Sequence, residues 1–314
     1  MKSAQIKRYG SSEVIEINQM TPTPNLATGK VLVDVKVAAI NPIDWKIREG
    51  YMQQMIPLQF PSTLGMDFSG IIKHVGEGVS PSDFKQDDEV YGQAGVTNGG
   101  SGAFAEVALA NVKSIAHKPN RLSHVEAAAL PLVGVSAWQA LIENIGLSKD
   151  QKILIHGGAG GIGSIAIQLA KKLDAYVATT ASTNDKQFVE MLGADEVIDY
   201  KTQTFEDMIH DYDAVFDTVG GETYARSFRV LTKGGIIVSM LEQPNSELMR
   251  QFGVKAIFQF TQVNRERLTK LAELVDQKNN IGIHVDKTFP LDEAGKALDY
   301  QKNAHPRGKI VLAI

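Results

Sequence analysis

Three glycines define the clearest site in the chain. Gly158, Gly160 and Gly163 fall in the spacing G-x-G-x-x-G within Lys152-Ile-Leu-Ile-His-Gly-Gly-Ala-Gly-Gly-Ile-Gly-Ser164. The apolar run Ile153–Ile155 predicts a buried parallel strand, and Ile165–Ala170 predicts a helix. Between such elements the first glycine allows a tight turn and the second lets a pyrophosphate approach the backbone. The third lets the helix pack against the strand. The start of the helix, at Gly161 and Ile162, then offers free N–H groups and a positive dipole end to phosphates. This context points to a bound dinucleotide.

A second group lies in Asn41-Pro-Ile-Asp-Trp-Lys-Ile-Arg-Glu-Gly-Tyr51. The Asn41 amide can donate to a carbonyl oxygen, and the Tyr51 phenol can donate a proton to a developing oxyanion. Lys46 is a candidate contact to cofactor ribose or phosphate. Asp44 is expected to hold the loop by hydrogen bonds, and Trp45 and Phe60 to be core. A third group, Thr179-Thr-Ala-Ser-Thr-Asn-Asp-Lys186, follows the fingerprint where NAD enzymes place a ribose-binding carboxylate. No carboxylate stands at the strand end. Ser182 can donate to a 2′-phosphate and Lys186 can supply charge, which favours NADPH over NADH. Asp185 is read as a helix cap; turned toward the ribose instead, it would favour NADH.

These groups need a scaffold, and 314 residues, 43% of them hydrophobic, suffice for two domains with a packed core. The net charge of −4, with no block of like charge, argues against nucleic acid as the main partner. Without cysteine there is no disulfide, no thiolate zinc ligand and no thiol nucleophile. No secretory signal and no apolar run of ~18 residues is visible, so a soluble cytoplasmic protein is expected.

Residues 1–120 predict short strands at Val31–Val37, Ile71–Val75, Glu89–Tyr91 and Ala103–Ala108. Turn residues punctuate them in the manner of a compact antiparallel barrel. Ser123 and Glu126 form a capping box for a small-residue helix that Pro131 interrupts. Strands then alternate with helices such as Asp185–Leu192 and Glu222–Leu231. The strands are Ile153–Ile155, Tyr176–Thr180, Glu196–Ile198, Ala214–Asp217, Ile236–Ser239 and Lys255–Phe258. This predicts an α/β, doubly wound parallel sheet. A helix from Arg265 to about Lys278, strands Ile283–Val285 and Lys309–Leu312, and a helix at Leu291–Tyr300 end the alternation. This tail is expected to rejoin the first domain. The expected division is 1–120 completed by 262–314, and 121–261.

Several separated stretches carry a family resemblance: Ala39-Ile-Asn-Pro-Ile-Asp-Trp-Lys46, Gly65-Met-Asp-Phe-Ser-Gly70, Val75-Gly-Glu-Gly-Val79, Ala129-Leu-Pro-Leu-Val-Gly-Val-Ser-Ala137, the glycine fingerprint and Arg307-Gly-Lys-Ile-Val-Leu312. Together they resemble the zinc-free quinone oxidoreductase branch of the medium-chain dehydrogenase/reductase superfamily. The resemblance implies a GroES-like β-barrel domain, a Rossmann domain, a nicotinamide cofactor in the cleft between them, and commonly a homodimer. It adds Ser136, Tyr200, Gly220, Ser239, Met240 and Arg307 to the cofactor-binding candidates, and matches Tyr51 to a tyrosine at the hydride-accepting site of enoyl reductases. Where zinc relatives carry Gly-His-Glu this chain reads Gly65-Met66-Asp67, and a thioether is a poor zinc ligand, so no metal is expected. His156, beside the fingerprint, is read as a packed side chain rather than a base or ligand.

The expected activity is NADPH-dependent, zinc-independent hydride transfer to a small quinone or α,β-unsaturated carbonyl. A zinc-free carbonyl or alcohol dehydrogenase is one alternative. A cofactor-binding structural or regulatory protein with little turnover is the other.

Overall fold

The change of pattern along the sequence becomes two compact units in the computed structural model, which describes residues 1–277 and 281–314. Met1–Leu132 and Val263–Ile314 form the first unit, and Val133–Gln262 the second. The first unit opens with β1 (Ser3–Ile6), β2 (Ile15–Asn18), β3 (Lys30–Ile40), β4 (Ser62–Thr63), β5 (Asp67–Val75), β6 (Glu89–Gln93), β7 (Val107–Asn111) and β8 (Ile115–His117). The second unit holds β9 (Lys152–Ile155), β10 (Tyr176–Ala181), β11 (Glu196–Asp199), β12 (Tyr212–Asp217), β13 (Leu231–Ser239) and β14 (Lys255–Phe258). β15 (Val285–Pro290) and β16 (Lys309–Ala313) return to the first.

In the first unit the main sheet runs β15-β16-β3-β5-β6-β8, with β7 also on β3, and a small sheet runs β2-β1-β4. β3 organises the main sheet, and both of its faces are covered. Val31, Val33, Val35, Ala38 and Ile40 enter the large core with Phe68, Phe84 and Phe104. Val37 and Ala39 pack with Ala128 and Ala129 near the end of the helix His124–Ala128. Irregular register against β5 at Leu32/Val33 and Val35/Val37 moves the core face from odd to even positions.

Three expectations need correction here. The segment Ala103–Ala108 is a strand only from Val107; before that, Phe104 O accepts from Ala4 N at 2.8 Å, which ties the segment to β1. The strand expected at Ile283–Val285 begins at Val285, with Ile283 packed just before it. The sheet is not wholly antiparallel either. β15 and β16 are parallel because the helix Ala294–Asn303 carries the chain across between them. The capping box at Ser123 and Glu126 forms as read, and Pro131 starts a new helix, Pro131–Trp138. The last long helix is described over Arg265–Asp276; its expected end at Lys278 lies outside the described residues.

The second unit is a six-stranded sheet in the order β11-β10-β9-β12-β13-β14, with every pair parallel. Chain order reverses between β9 and β12, and ligands bind at the strand ends beside such a switch point. The helix Gly161–Lys172 follows β9 at that place. The helix expected at Glu222–Leu231 is shorter, Gly221–Ser227, because a tight turn at Phe228–Val230 leads straight into β13.

Candidate active site

The glycine loop has the form a pyrophosphate requires. A Cβ on Gly163 would lie 2.2 Å from Gly157 O and 2.7 Å from Gly158 Cα, so only glycine lets the helix start this close to the turn. A Cβ on Gly160 would meet nothing nearer than 3.3 Å, which leaves the space above the turn open. Gly160 is also the helix N-cap, and no side chain caps the first turn. Gly161 and Ile162 therefore begin the helix with N–H groups available to an anion. The loop fits the phosphates of a dinucleotide.

His156 braces this loop from behind. It is buried, with Nε2 2.9 Å from Ser227 Oγ and Nδ1 3.1 Å from Thr180 Oγ1. Ser227 donates its own hydrogen to Thr223 O, so it must accept from His156 Nε2–H. Nδ1 then accepts from Thr180, whose oxygen also receives Gly157 N–H at 3.1 Å. Burial pulls the His156 pKa down to about 4 and keeps the ring neutral. Both nitrogens are occupied, so His156 is a structural group.

At the tip of β10, Ser182 donates to Asp185 Oδ2 at 2.5 Å. Asp185 precedes the helix Lys186–Met191 but its side chain makes no capping hydrogen bond, contrary to the cap expected there. Lys186 is exposed and lies 3.9 Å from Glu190. Tyr200, just beyond β11, is 58% exposed beside the Lys201 ammonium.

Asp217, a residue not singled out in the sequence, organises the ends of β12 and β13. Its Oδ1 accepts from Val219 and Gly220 N–H, each at 2.9 Å, and its Oδ2 accepts from Ser239 Oγ at 2.7 Å. The Ser239 oxygen in turn receives Leu241 N–H and Glu242 N–H. The Ser239 hydroxyl is thus engaged within the fold. Met240 follows it, with Sδ 3.4 Å from Gln259 Nε2. Gln259 also donates to Ser136 O at 2.9 Å, and the buried Ser136 hydroxyl pairs with Thr261 Oγ1 at 2.8 Å.

In the first unit, Asn41 is fully buried at the end of β3, beside Lys309 of β16. Lys309 Nζ donates to Ile40 O and, at 2.5 Å, to Asn41 Oδ1. Asp44 Oδ2 accepts the Asn41 backbone N–H at 2.7 Å, which supports the loop-holding role read for it. Asp67 accepts from Gln93 Nε2 at 2.7 Å and from Leu132 N at 3.0 Å. Burial raises both carboxyl pKa values, that of Asp44 to about 7, while the Lys309 charge opposes the shift. Burial lowers the Lys309 pKa against the pull of the two carboxylates. Asn41 Nδ2 helps stabilise the Asp67 carboxylate but makes no hydrogen bond of ordinary geometry. A buried donor left in that state costs roughly 1–3 kcal/mol, so this amide is poised for a ligand oxygen.

The other candidates in this unit are spread out. Tyr51 is 72% exposed, far more than a half-buried loop aromatic, with its ring edge-on to Trp45 at 6.0 Å between centroids. Lys46 Nζ sits 5.7 Å over the Trp45 ring, and Trp45 packs partly buried against the core. Phe60 is 40% exposed against Tyr9, not the core residue expected. Arg307 is half-buried in the turn before β16. The loops around Leu58 and Thr97 meet at a cavity of ≈ 10 Å³ lined by Asp44, Ser62 and Met66, room for about one water.

A zinc ion does not fit here. Met66 offers only a thioether, both oxygens of Asp67 are engaged, and no cysteine exists. Among the described residues no group of three histidine, aspartate or glutamate side chains could hold a metal ion. No helix among them is long and apolar enough to cross a membrane.

Comparison with known proteins fits this geometry. Residues 27–120 match the alcohol dehydrogenase GroES-like domain, and residues 192–312 match a family model described as zinc-binding dehydrogenase. The 2-methylene-furan-3-one reductase of Solanum lycopersicum is 35% identical over 99% of this chain and 79% of that protein. The structure of the quinone oxidoreductase from Coxiella burnetii superposes with a TM-score of 0.91 at 34% identity, covering 100% of this chain and 99% of that one. The Escherichia coli quinone oxidoreductase complexed with NADPH gives 0.88 at 28% identity, covering 100% of both chains. With the glycine loop, the strand order and these relatives in agreement, the chain belongs to the medium-chain dehydrogenase/reductase superfamily, in its quinone oxidoreductase branch, and is an NAD(P)H-dependent oxidoreductase.

Proposed function

We propose that the protein is an NADPH-dependent reductase of quinones or α,β-unsaturated carbonyls that works without metal. The observation that carries this reading is the buried, under-used donor Asn41 Nδ2, in a neighbourhood whose side chains suit a carbonyl oxygen and do not suit zinc. Bound NADPH supplies a hydride. Quinones and enones are already electrophilic at carbon, so a hydrogen-bond donor can do what alcohol oxidation asks of a Lewis acid. In this reading Asn41 donates to the substrate carbonyl and steadies the charge that grows there. Tyr51 O–H protonates the resulting enolate. Gly158, Gly160, Gly161, Ile162 and Gly163 hold the pyrophosphate, and Ser182, Lys186 and Tyr200 meet the 2′-phosphate. Lys46, Ser136, Gly220, Met240 and Arg307 complete the cofactor contacts.

The NADPH-bound Escherichia coli relative and the enone reductase of tomato support the same reading. The Ser182–Asp185 contact favours a second version in which NADH is also accepted. A panel of quinones, enones, aldehydes and alcohols, run with both cofactors and followed by cofactor absorbance, tests the proposal. Turnover confined to quinones and enones is expected. Turnover of alcohols alone, or tight cofactor binding with no turnover, would overturn it.

A further inference from the structure

Asn41 and Lys309 stand 268 positions apart in the chain and meet in the interior of the first unit. An ammonium has three donors and no acceptor, so the atom it faces on Asn41 must be the amide oxygen. This settles which way the carboxamide is turned. Nδ2 then lies on the other side with two N–H bonds. The Asp67 carboxyl draws on at most one of them, and no hydrogen bond is completed.

We propose that Lys309 is a positioning residue that locks the Asn41 carboxamide with its Nδ2 as the hydrogen-bond donor to the carbonyl oxygen of the bound quinone or enone. The proposal rests on the reading of Asn41 as the group that polarises that carbonyl. Burial disfavours the charged form of Lys309, and the two acidic groups beside it pull the other way. Asp44 and Asp67 both act on it through space, and each is itself fixed: Asp44 by Asn41 N–H, Asp67 by Gln93 and Leu132. A neutral amine could accept as well as donate, and the amide could then turn over. The contacts of Lys309 Nζ with Ile40 O and Asn41 Oδ1 hold the arrangement in the form that leaves Nδ2 free for the substrate.

A double-mutant cycle with Lys309→Met and Asn41→Ala tests this, using cyclohexenone reduction for kcat and KM and fluorescence titration for NADPH affinity. Lys309→Met should lower kcat about tenfold or more when Asn41 is present and less than about twofold in the Asn41→Ala protein, with NADPH affinity unchanged. Lys309→Arg, which keeps charge and donors, should recover most of the lost kcat. Equal losses in both backgrounds, or failure of arginine to recover activity, would make Lys309 merely structural. Weaker NADPH binding with kcat intact would assign the donor to a cofactor oxygen and overturn the proposal. If Asn41→Ala itself keeps full activity, the reading of Asn41 fails first and this one falls with it. Should Lys309→Met not fold, the side-chain amide signal of Asn41 in 15N-asparagine-labelled wild-type protein decides. It should shift when cyclohexenone is added to the NADP⁺ complex, and an unmoved signal would overturn the proposal.

Discussion

Ser182 gives its hydroxyl hydrogen to Asp185 at 2.5 Å, so the residue expected to welcome a phosphate is held by a carboxylate. A 2′-phosphate approaching this tip must take Ser182 from Asp185 and meet its negative charge. Charge-assisted hydrogen bonds are worth roughly 1.5–3 kcal/mol, about tenfold or more in affinity. Asp185→Asn should therefore tighten NADPH binding by about tenfold and leave NADH equal or weaker. Lys186→Ala should weaken NADPH by a similar factor and spare NADH. Fluorescence titrations with both cofactors check the pair; equal effects on both cofactors would detach these residues from the phosphate.

Tyr51 is exposed, and its hydroxyl can reach a substrate only at the surface of its unit. Hydride addition to an enone leaves an enolate that needs a proton, whereas a hydroquinone anion spreads its charge over the ring and can wait for water. Tyr51→Phe should cost enone turnover about 10²-fold in kcat and quinone turnover much less. Unchanged rates for both substrates would reduce Tyr51 to an edge-on neighbour of Trp45.

Metal-free turnover has a direct check. Elemental analysis of purified protein should find no stoichiometric zinc, and dialysis against a strong chelator should leave the quinone rate unchanged. Stoichiometric zinc whose removal abolishes turnover would end the hydrogen-bond account of carbonyl activation.

His156 makes stability sensitive to acid. Its pKa is about 4 in the fold and ~6.5 in an unfolded chain. The unfolded state therefore binds the proton first. The contribution of His156 is complete above pH ~6.5 and is lost as pH falls from there toward 4, by up to about 1.4 kcal/mol per pH unit. Asp44, with its raised pKa, works in the opposite sense over much of this range and is present in both proteins. Urea unfolding at pH 7 and pH 5 should show His156→Gln losing less stability on acidification than wild type, though starting lower. Parallel losses in the two proteins would show that this histidine does not titrate as its burial requires.

What could be read from the sequence depended on how local the cause was. The strands of the second unit are each built on a few adjacent apolar residues, such as Ile153–Ile155 and Ile236–Val238, and the glycine loop is conformationally demanding, so both were visible locally, though β13 starts earlier than expected, at Leu231. The strand shifts at Ala103–Ala108 and Ile283–Val285 were not, since pairing partners decide them. Phe60 and Trp45 read alike as core, and only packing separates the exposed Phe60 from the partly buried Trp45. Asp217 stands beside a conspicuous Val-Gly-Gly turn, and an aspartate that receives the N–H groups of the next residues was a signal available at that point. Lys309 offered none. It begins an apolar strand, and its two carboxylates and its amide partner come from more than two hundred positions earlier.

The return of the chain to its first unit also sets an order of assembly during synthesis. Residues 133–262 are continuous, so their sheet can close once they have left the ribosome. The first unit cannot close then, because Val37–Ile40 await Ile310–Ala313 as pairing partners. Through that interval β3 carries an open edge of the kind that invites pairing with another chain. Asn41 receives its ammonium only when β16 docks, so the amide proposed to meet the substrate carbonyl is set among the last contacts made. A nascent chain should bind dinucleotide before it can reduce anything.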